Sequence, residues 1–462
     1  MRMSPHKDSL LYVIIGCLLP IFFTTFNYRA ECVYCCALSV FYILIFWGKI
    51  GILRYIDSIC AFFVFFLSFV RYYLIPLLII CDTNYFNYNP YGFGANGKYF
   101  EYGIFMTMWE MLFFSIYFSL VLPKWYHMKT KMNITMTKNL SWPWIVIILL
   151  FSIMILVSPN VLSDYSFVFD LKPDETVMEE YVHKSLLETI AVIGSRVVKI
   201  IIPIPFLCYL YSKYKRNKSF KYYLLSLIVL IFFYGFIIEG NSRNSIIMPA
   251  TAAMFFLLKF YPRYGKTTNL VLISVIVLIS ILSLIWKSFL GDVSGVKNSM
   301  SFWISYLEVY FAGISNMGKA VYAYHITDIL SYPSILFNDI CRNVPFLNYL
   351  ADNSNTSSFY YVNVWGRTDQ VIPATGNGLF YFGYIFAPCV SMVIIQIAHW
   401  FEKKALLAKT MPEYLIYCYS CVVISYNTFN SLSIMLMKLT IILLPLSFAL
   451  YLSKLLQKKH TI

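Results

Sequence analysis

The sequence predicts an all-α polytopic membrane protein with about twelve transmembrane helices. Of its 462 residues, 60% are hydrophobic and only 13% are charged, and the mean hydropathy is +0.68. A soluble domain of this size needs more charge on its surface, whereas lipid solvates the outer face of a membrane protein. Repeated apolar runs of about 18 or more residues can each cross a bilayer core of roughly 30 Å. We therefore expect a single integral membrane domain over residues 1–462.

The apolar runs set the predicted spans. The first run lacks a small-residue cleavage site, so we interpret it as a retained span and not as a signal peptide. The predicted spans are residues 9–27, 31–48, 55–81, 103–122, 142–162, 188–211, 222–239, 245–260, 270–290, 376–399, 414–432 and 434–453.

Basic residues are concentrated in every second connection and at both termini, for example in residues 124–138, 213–221 and 454–459. Because cytoplasmic loops of membrane proteins are enriched in Lys and Arg, this pattern predicts that both termini are cytoplasmic. The net charge of +14 is thus an orientation signal, and we expect a lipid bilayer and no nucleic acid as partner.

The longest connection, residues 291–375, is predicted to be a large external loop between spans 9 and 10. Residues Phe302 to Leu330 have helical periodicity, and a second short helix is expected near 334–340. Residues Asp352 to Gln370 are polar and rich in turn-forming residues, which predicts irregular structure. The many aromatic residues argue against disorder, so we expect the loop to fold on the outer membrane surface, partly re-entrant.

Two basic residues inside a predicted span are the first candidates for function. Arg196 and Lys199 lie three positions apart, on one helix face, and Arg196 is roughly 13 Å from the external helix end. A charge at that depth needs water, a bound anion or an ion-pair partner. If Arg196 forms an ion pair, the sequence suggests Glu110 or Glu188 as its acidic partner.

A second candidate is the short turn between two spans. Arg243 lies at the start of the next helix, where free backbone N–H groups favour an anion. Gly240 permits the turn and the close approach of a ligand. An arginine that only anchors the helix end is the alternative.

A third candidate precedes the tenth span. Arg367 is followed by Gly376 and Gly378, which we interpret as loop and turn support, and Arg342 is a further cation. Guanidinium groups suit bidentate recognition of phosphate. Arg196, Lys199, Arg243, Arg342 and Arg367 are therefore predicted to hold a diphosphate on the external side.

Candidate general bases in the same region are Asp369, His325 and Asp339. A base must reach the proton that it removes, and sequence spacing does not show this, so a solvated or helix-capping role stays open for each. No histidine cluster, P-loop or Gly-x-Ser-x-Gly motif is found. The sequence therefore predicts no metal and no cofactor.

These features resemble the O-antigen polymerases, the Wzy-type oligosaccharide repeat-unit polymerases. The resemblance covers the whole chain in architecture. Locally it rests on Gly240-Asn-Ser-Arg243 opening a span, and on Arg367 followed by Ile372-Pro373 and Gly376-Asn-Gly-Leu-Phe-Tyr-Phe-Gly383.

The resemblance implies a metal-independent membrane glycosyltransferase with a GT-C-like fold in the bacterial inner membrane. It would polymerise undecaprenyl-diphosphate-linked oligosaccharide repeat units at the periplasmic face, in lipopolysaccharide biosynthesis. Arg196, Arg243 and Arg367 match the family's diphosphate-binding arginines. A polysaccharide chain-length regulator would be a partner. An O-antigen ligase and a repeat-unit flippase or other transporter stay open as alternatives.

Overall fold

A computed structural model of the protein describes residues 7–51, 55, 57–87, 97–131, 141–167, 185–239, 244–271, 274, 300–327, 332–365 and 372–458. The chain divides into two compact units, each assembled from segments that are distant in sequence. Unit 1 consists of Met1–Lys131, Val293–His399 and Ile424–Leu436, and unit 2 of Met132–Asp292, Trp400–Val423 and Met437–Ile462. The single integral domain expected from the sequence stays a prediction.

Helices dominate the described part of the chain, which confirms the all-α class. Unit 1 contains or shares the α-helices Lys7–Phe26, Ala30–Tyr42, Ile59–Phe69, Ile75–Cys81, Gly97–Lys131, Met300–Tyr310, Ile314–Ile326, Tyr332–Asn343, Ser357–Trp365, Ala374–Phe386, Cys389–Leu406 and Leu432–Lys438. Unit 2 contains Trp142–Leu156, Leu186–Ile201, Ile204–Asn217, Phe220–Ile231, Asn244–Phe260 and Leu444–Lys458, together with the part of Met411–Tyr426 that ends at Val423. Unit 2 also holds one antiparallel pair of three-residue strands, β1 (Tyr165–Phe167) and β2 (Ile237–Glu239).

Among the described residues, five helical segments are long and apolar enough to cross a membrane, and each coincides with a predicted span. They are Ala30–Lys49, Ile59–Cys81, Tyr99–Met128, Leu186–Asn217 and Leu432–Gln457. Four more predicted spans coincide with the shorter apolar helices Leu10–Phe26, Trp142–Leu156, Phe220–Phe236 and Ile246–Phe260. These helices support a multi-pass membrane protein. The predicted span 270–290 lies almost wholly outside the described residues.

The predicted span over residues 376–399 contains a sharp bend. Helices Ala374–Phe386 and Cys389–Leu406 are bent by 111° at a short break, as in a broken span or a re-entrant loop. Near the end of the first helix, Gly383 has φ 69° and ψ −174°, a backbone conformation that a side chain disfavours. The fold-back brings the carbonyl oxygen of Ala387 so close to Gly378 that a Cβ there would lie 1.9 Å from it.

The connection 291–375 is more helical than the sequence predicts. Helices Met300–Tyr310, Ile314–Ile326 and Tyr332–Asn343 agree with the predicted periodicity. The prediction of irregular structure over Asp352–Gln370 is wrong for Ser357–Trp365, which is an α-helix. Its residue Tyr361 is only 1% exposed, so burial of this aromatic side chain stabilises the helix.

Candidate anion-binding site

A largely buried ion pair between Arg196 and Glu239 lies at the centre of the candidate site in unit 2. Arg196 is in the helix Leu186–Ile201, ten residues beyond its first residue, or about 15 Å along the axis. Its Nε and Nη2 atoms lie 2.6 Å and 2.5 Å from the same carboxylate oxygen, Oε1 of Glu239. Both side chains are largely buried, at 8% and 19% exposure, so the charges interact in a medium of low polarity.

The prediction of Glu110 or Glu188 as the partner of Arg196 is wrong, because Arg196 pairs with Glu239. Glu188 instead completes a capping box, in which it accepts from the backbone N–H of Ser185 at 2.8 Å. Glu110 belongs to unit 1, where it pairs with Arg71 at 2.9 Å. Neither carboxylate is the ion-pair partner, although an ion pair was one of the open alternatives.

The strand pair explains how Glu239 reaches Arg196. The predicted span 222–239 ends early, because its helical part stops at Phe236 and β2 begins at Ile237. Tyr165 of β1 is opposite Glu239 in the antiparallel register. The Tyr165 hydroxyl donates to Oγ of Ser195, the residue before Arg196, at 3.1 Å. The short sheet therefore holds the carboxylate next to this helix.

Two lysines act electrostatically on the same carboxylate. The Nζ atom of Lys199 lies 5.8 Å from the ring centroid of Tyr165, within cation–π range. Lys438 places its Nζ 3.9 Å from the sulfur of Met248. The positive charges of Arg196, Lys199 and Lys438 all stabilise the ionised form of the Glu239 carboxylate. Three cations thus act on one carboxylate.

Lys438 is a site residue that the sequence analysis missed. It is a basic residue six positions beyond Leu432, within the apolar segment Leu432–Gln457. The rule that drew attention to Arg196, a charge inside a span, applies equally to Lys438. Lys438 lies only four residues after the start of the predicted last span, residues 434–453, where a basic residue is common.

In unit 1, Asp339 is the centre of a separate hydrogen-bond cluster. Its Oδ2 atom accepts from the backbone N–H of Ser357 at 3.2 Å, from the Ser357 hydroxyl at 2.5 Å and from the Tyr381 hydroxyl at 2.6 Å. Its Oδ1 atom is buried without a hydrogen-bond partner in the described part of the chain. Burial raises the pKa of Asp339, although Ser357, Tyr381 and the charge of Arg342 oppose the shift. The cluster joins three helices and encloses the carboxyl group completely.

The other described candidates have different surroundings. Arg342 shares a helix with Asp339 and approaches Thr356, with Nη1 3.5 Å from Oγ1. His325 is exposed at the end of the helix Ile314–Ile326, and its ring centroid lies 6.5 Å from that of Tyr99. Arg342, Asp339 and His325 belong to unit 1, whereas Arg196 and Lys199 belong to unit 2.

The predicted turn-support role of two glycines is wrong. Gly376 and Gly378 lie within the helix Ala374–Phe386, where both are buried. A Cβ on Gly376 would lie 2.8 Å from the Cβ of Ala320, so the glycine permits close helix packing. The remaining candidates, Gly240, Arg243, Arg367 and Asp369, lie outside the described residues.

Comparisons with known proteins do not assign a family. No protein-family model matches the chain, and no curated protein and no solved structure matches it at a significant level. Within the described residues, no group of three or more His, Cys, Asp or Glu side chains is arranged to hold a metal ion. The geometry of unit 2 therefore carries the functional argument.

Proposed function

We propose that the protein is an O-antigen polymerase. It joins undecaprenyl-diphosphate-linked oligosaccharide repeat units at the periplasmic face of the bacterial inner membrane, as a metal-independent glycosyltransferase. The proposal includes about twelve spans, a GT-C-like arrangement, cytoplasmic termini and a chain-length regulator as partner.

One observation supports this proposal most strongly. Arg196, Lys199 and Lys438 all act on Glu239, so three cations and one carboxylate are gathered within or beside apolar helices. Charges are costly there and are retained mainly where they bind or pair with something. A lipid-linked diphosphate is a suitable ligand, since it brings several negative charges to the membrane surface while its tail stays in the bilayer.

Glycosyl transfer from a lipid-linked diphosphate requires these positive charges and a base. The acceptor hydroxyl oxygen forms a bond to C1 of the donor sugar, and the bond from C1 to the diphosphate oxygen breaks. The leaving undecaprenyl diphosphate keeps the electron pair, and a base takes the hydroxyl proton. Fixed cations that stabilise the departing diphosphate lower the barrier. Arg243, four residues after Glu239, is expected to add to this site.

Glu239 has a positioning role in this scheme. Because one carboxylate oxygen contacts two nitrogens of Arg196, the plane of the guanidinium group is fixed before the ligand arrives. From the sequence, Arg342 and Arg367 are expected to be further diphosphate contacts, and Asp369 or His325 is expected to be the base. The carboxyl group of Asp339 is fully buried, so Asp339 is not proposed as the base. A ligase uses the same donor, so the cation site does not separate the two enzymes.

Gel analysis of lipopolysaccharide tests the proposal. A strain without the gene is expected to show lipid A core carrying one repeat unit, which a ligase or flippase defect does not produce. Complementation with Arg196→Ala, Arg243→Ala or Arg367→Ala should leave this short form although the protein is present in the membrane. Lys49→Ala changes an exposed cation far from the site in sequence and should restore full-length polymer. Core without any repeat unit in the deletion strain would reject the proposal.

A further inference from the structure

A surface of unit 2 that the proposed reaction does not use is strongly basic. Six exposed residues at neighbouring helix ends form this basic patch: Lys215, Arg216, Lys218, Lys221, Arg263 and Lys266. The sequence contains no acidic residue between Glu188 and Glu239, or between Glu239 and Asp292. In the part of unit 2 that the structure describes, none of the six forms an ion pair.

A framework of tyrosine rings supports the basic patch. The rings of Tyr214 and Tyr261 lie 4.6 Å apart, and those of Tyr223 and Tyr264 stack at 4.7 Å with 27° between their planes. The Tyr264 hydroxyl reaches the backbone carbonyl of Lys218 at 3.4 Å. Such ring contacts connect the helix ends before and after Lys218 with the end of a third helix. The cations are therefore carried by a packed surface.

Two of the lysine side chains lie over these rings. Nζ of Lys215 is 5.9 Å from the ring centroid of Tyr211, and Nζ of Lys218 is 5.3 Å from that of Tyr214. Lys218 ends its helix in the left-handed conformation, with φ 50°. The aromatic contacts restrict the ammonium groups while leaving them exposed, which reduces the ordering that a ligand must impose.

We propose that the basic patch binds the phosphate headgroups of anionic phospholipids. The patch lies at the ends of the apolar segments Leu186–Asn217, Phe220–Phe236 and Ile246–Phe260, where a membrane-spanning helix meets the headgroup layer. Tyrosine and lysine together are typical of that layer, since the rings and aliphatic stems stay apolar while the charges reach the phosphates. This position favours lipid over an acidic protein segment. The inference is independent of the polymerase reaction.

Binding of phosphatidylglycerol to the purified full-length protein in detergent tests the proposal. The affinity of the variant K215Q/R216Q/K218Q for phosphatidylglycerol should be lower by about tenfold or more. The reason is that each basic residue near a membrane surface contributes appreciably to the affinity for anionic lipid. Its charge-preserving counterpart K215R/K218R should bind like the wild type. Phosphatidylcholine should bind to none of the three proteins, and added salt should weaken the binding of phosphatidylglycerol to the wild type.

The matched control removes two exposed lysines that lie outside the basic patch, one of which, Lys404, has its Nζ 5.3 Å from the Trp400 ring centroid. Lys403 and Lys404 lie at the end of another helix, so K403Q/K404Q should keep wild-type affinity. Should K215Q/R216Q/K218Q fail to yield monodisperse protein, R263Q/K266Q tests the other side of the patch. Equal losses in K403Q/K404Q and in the patch variants would overturn the proposal. Binding of polyglutamate without binding of phosphatidylglycerol would also overturn the proposal.

Discussion

Replacing Glu110 should strongly destabilise unit 1, because its carboxylate neutralises a fully buried arginine. Oε2 of Glu110 accepts from Nη1 of Arg71 at 2.9 Å and from the Tyr72 hydroxyl at 2.6 Å, while Oε1 accepts from Thr375 and from Ser391. Nε and Nη2 of Arg71 have no hydrogen-bond partner among the described residues. In Glu110→Gln the positive charge loses its counter-ion. Breaking such a buried pair costs about 3–5 kcal/mol.

The assay is thermal unfolding of the purified protein in detergent, followed by size-exclusion chromatography of the heated samples. The decrease in Tm caused by Glu110→Gln should be several times the decrease caused by Lys454→Gln. That control breaks an ion pair in which the Lys454 side chain is 52% exposed, and such pairs contribute about 0–1 kcal/mol. The double variant Arg71→Met/Glu110→Gln removes both charges, so it should be more stable than Glu110→Gln alone.

Two results would refute this reasoning. A Glu110→Gln protein that unfolds at the same temperature as Lys454→Gln shows that Arg71 does not depend on this carboxylate. A double variant no more stable than Glu110→Gln shows that the lost packing, and not the uncompensated charge, causes the destabilisation.

Two further predictions concern the same unit. Gly378→Ala should lower stability by about 1–3 kcal/mol or more, since a Cβ would lie 1.9 Å from the Ala387 oxygen. Gly48→Ala is the matched control, because the nearest atom to its Cβ is 3.9 Å away, and equal melting temperatures would contradict the prediction. Burial raises the pKa of Asp339 above its ordinary value of 3.8. Protonation of this carboxyl group therefore stabilises the folded protein fully below pH 3.8, and this stabilisation is lost as the pH rises through the raised pKa. The Tm of wild type minus that of Asp339→Asn should therefore fall as the pH rises from about 4 to 8, and a constant difference would contradict this.

The hydrophobic pattern of the sequence predicts the class of fold and the positions of most described helices. Long apolar runs are a local property, so Ala30–Lys49 or Leu186–Asn217 can be recognised without knowledge of their neighbours. The bend after Ala374–Phe386 is different, because it depends on how Gly378 and Ala387 approach each other in three dimensions. The number of spans stays a prediction.

The candidate site is only partly predictable for the same reason. Arg196 and Lys199 lie three residues apart, so their common helix face follows from the sequence. Glu239 and Lys438 are 43 and 242 positions from Arg196, and they reach the site through a strand pair and a distant helix. Such long-range pairing has no local signal in a single sequence.

Binding of undecaprenyl diphosphate to the purified protein tests the central claim most directly. If Arg196, Lys199 and Lys438 hold the diphosphate together, Arg196→Ala and Lys438→Met should each weaken binding by about tenfold or more, since each removes a charge-assisted contact. Lys49→Ala should bind like the wild type. Unchanged affinity in both Arg196→Ala and Lys438→Met, measured on folded protein, would contradict the proposed site.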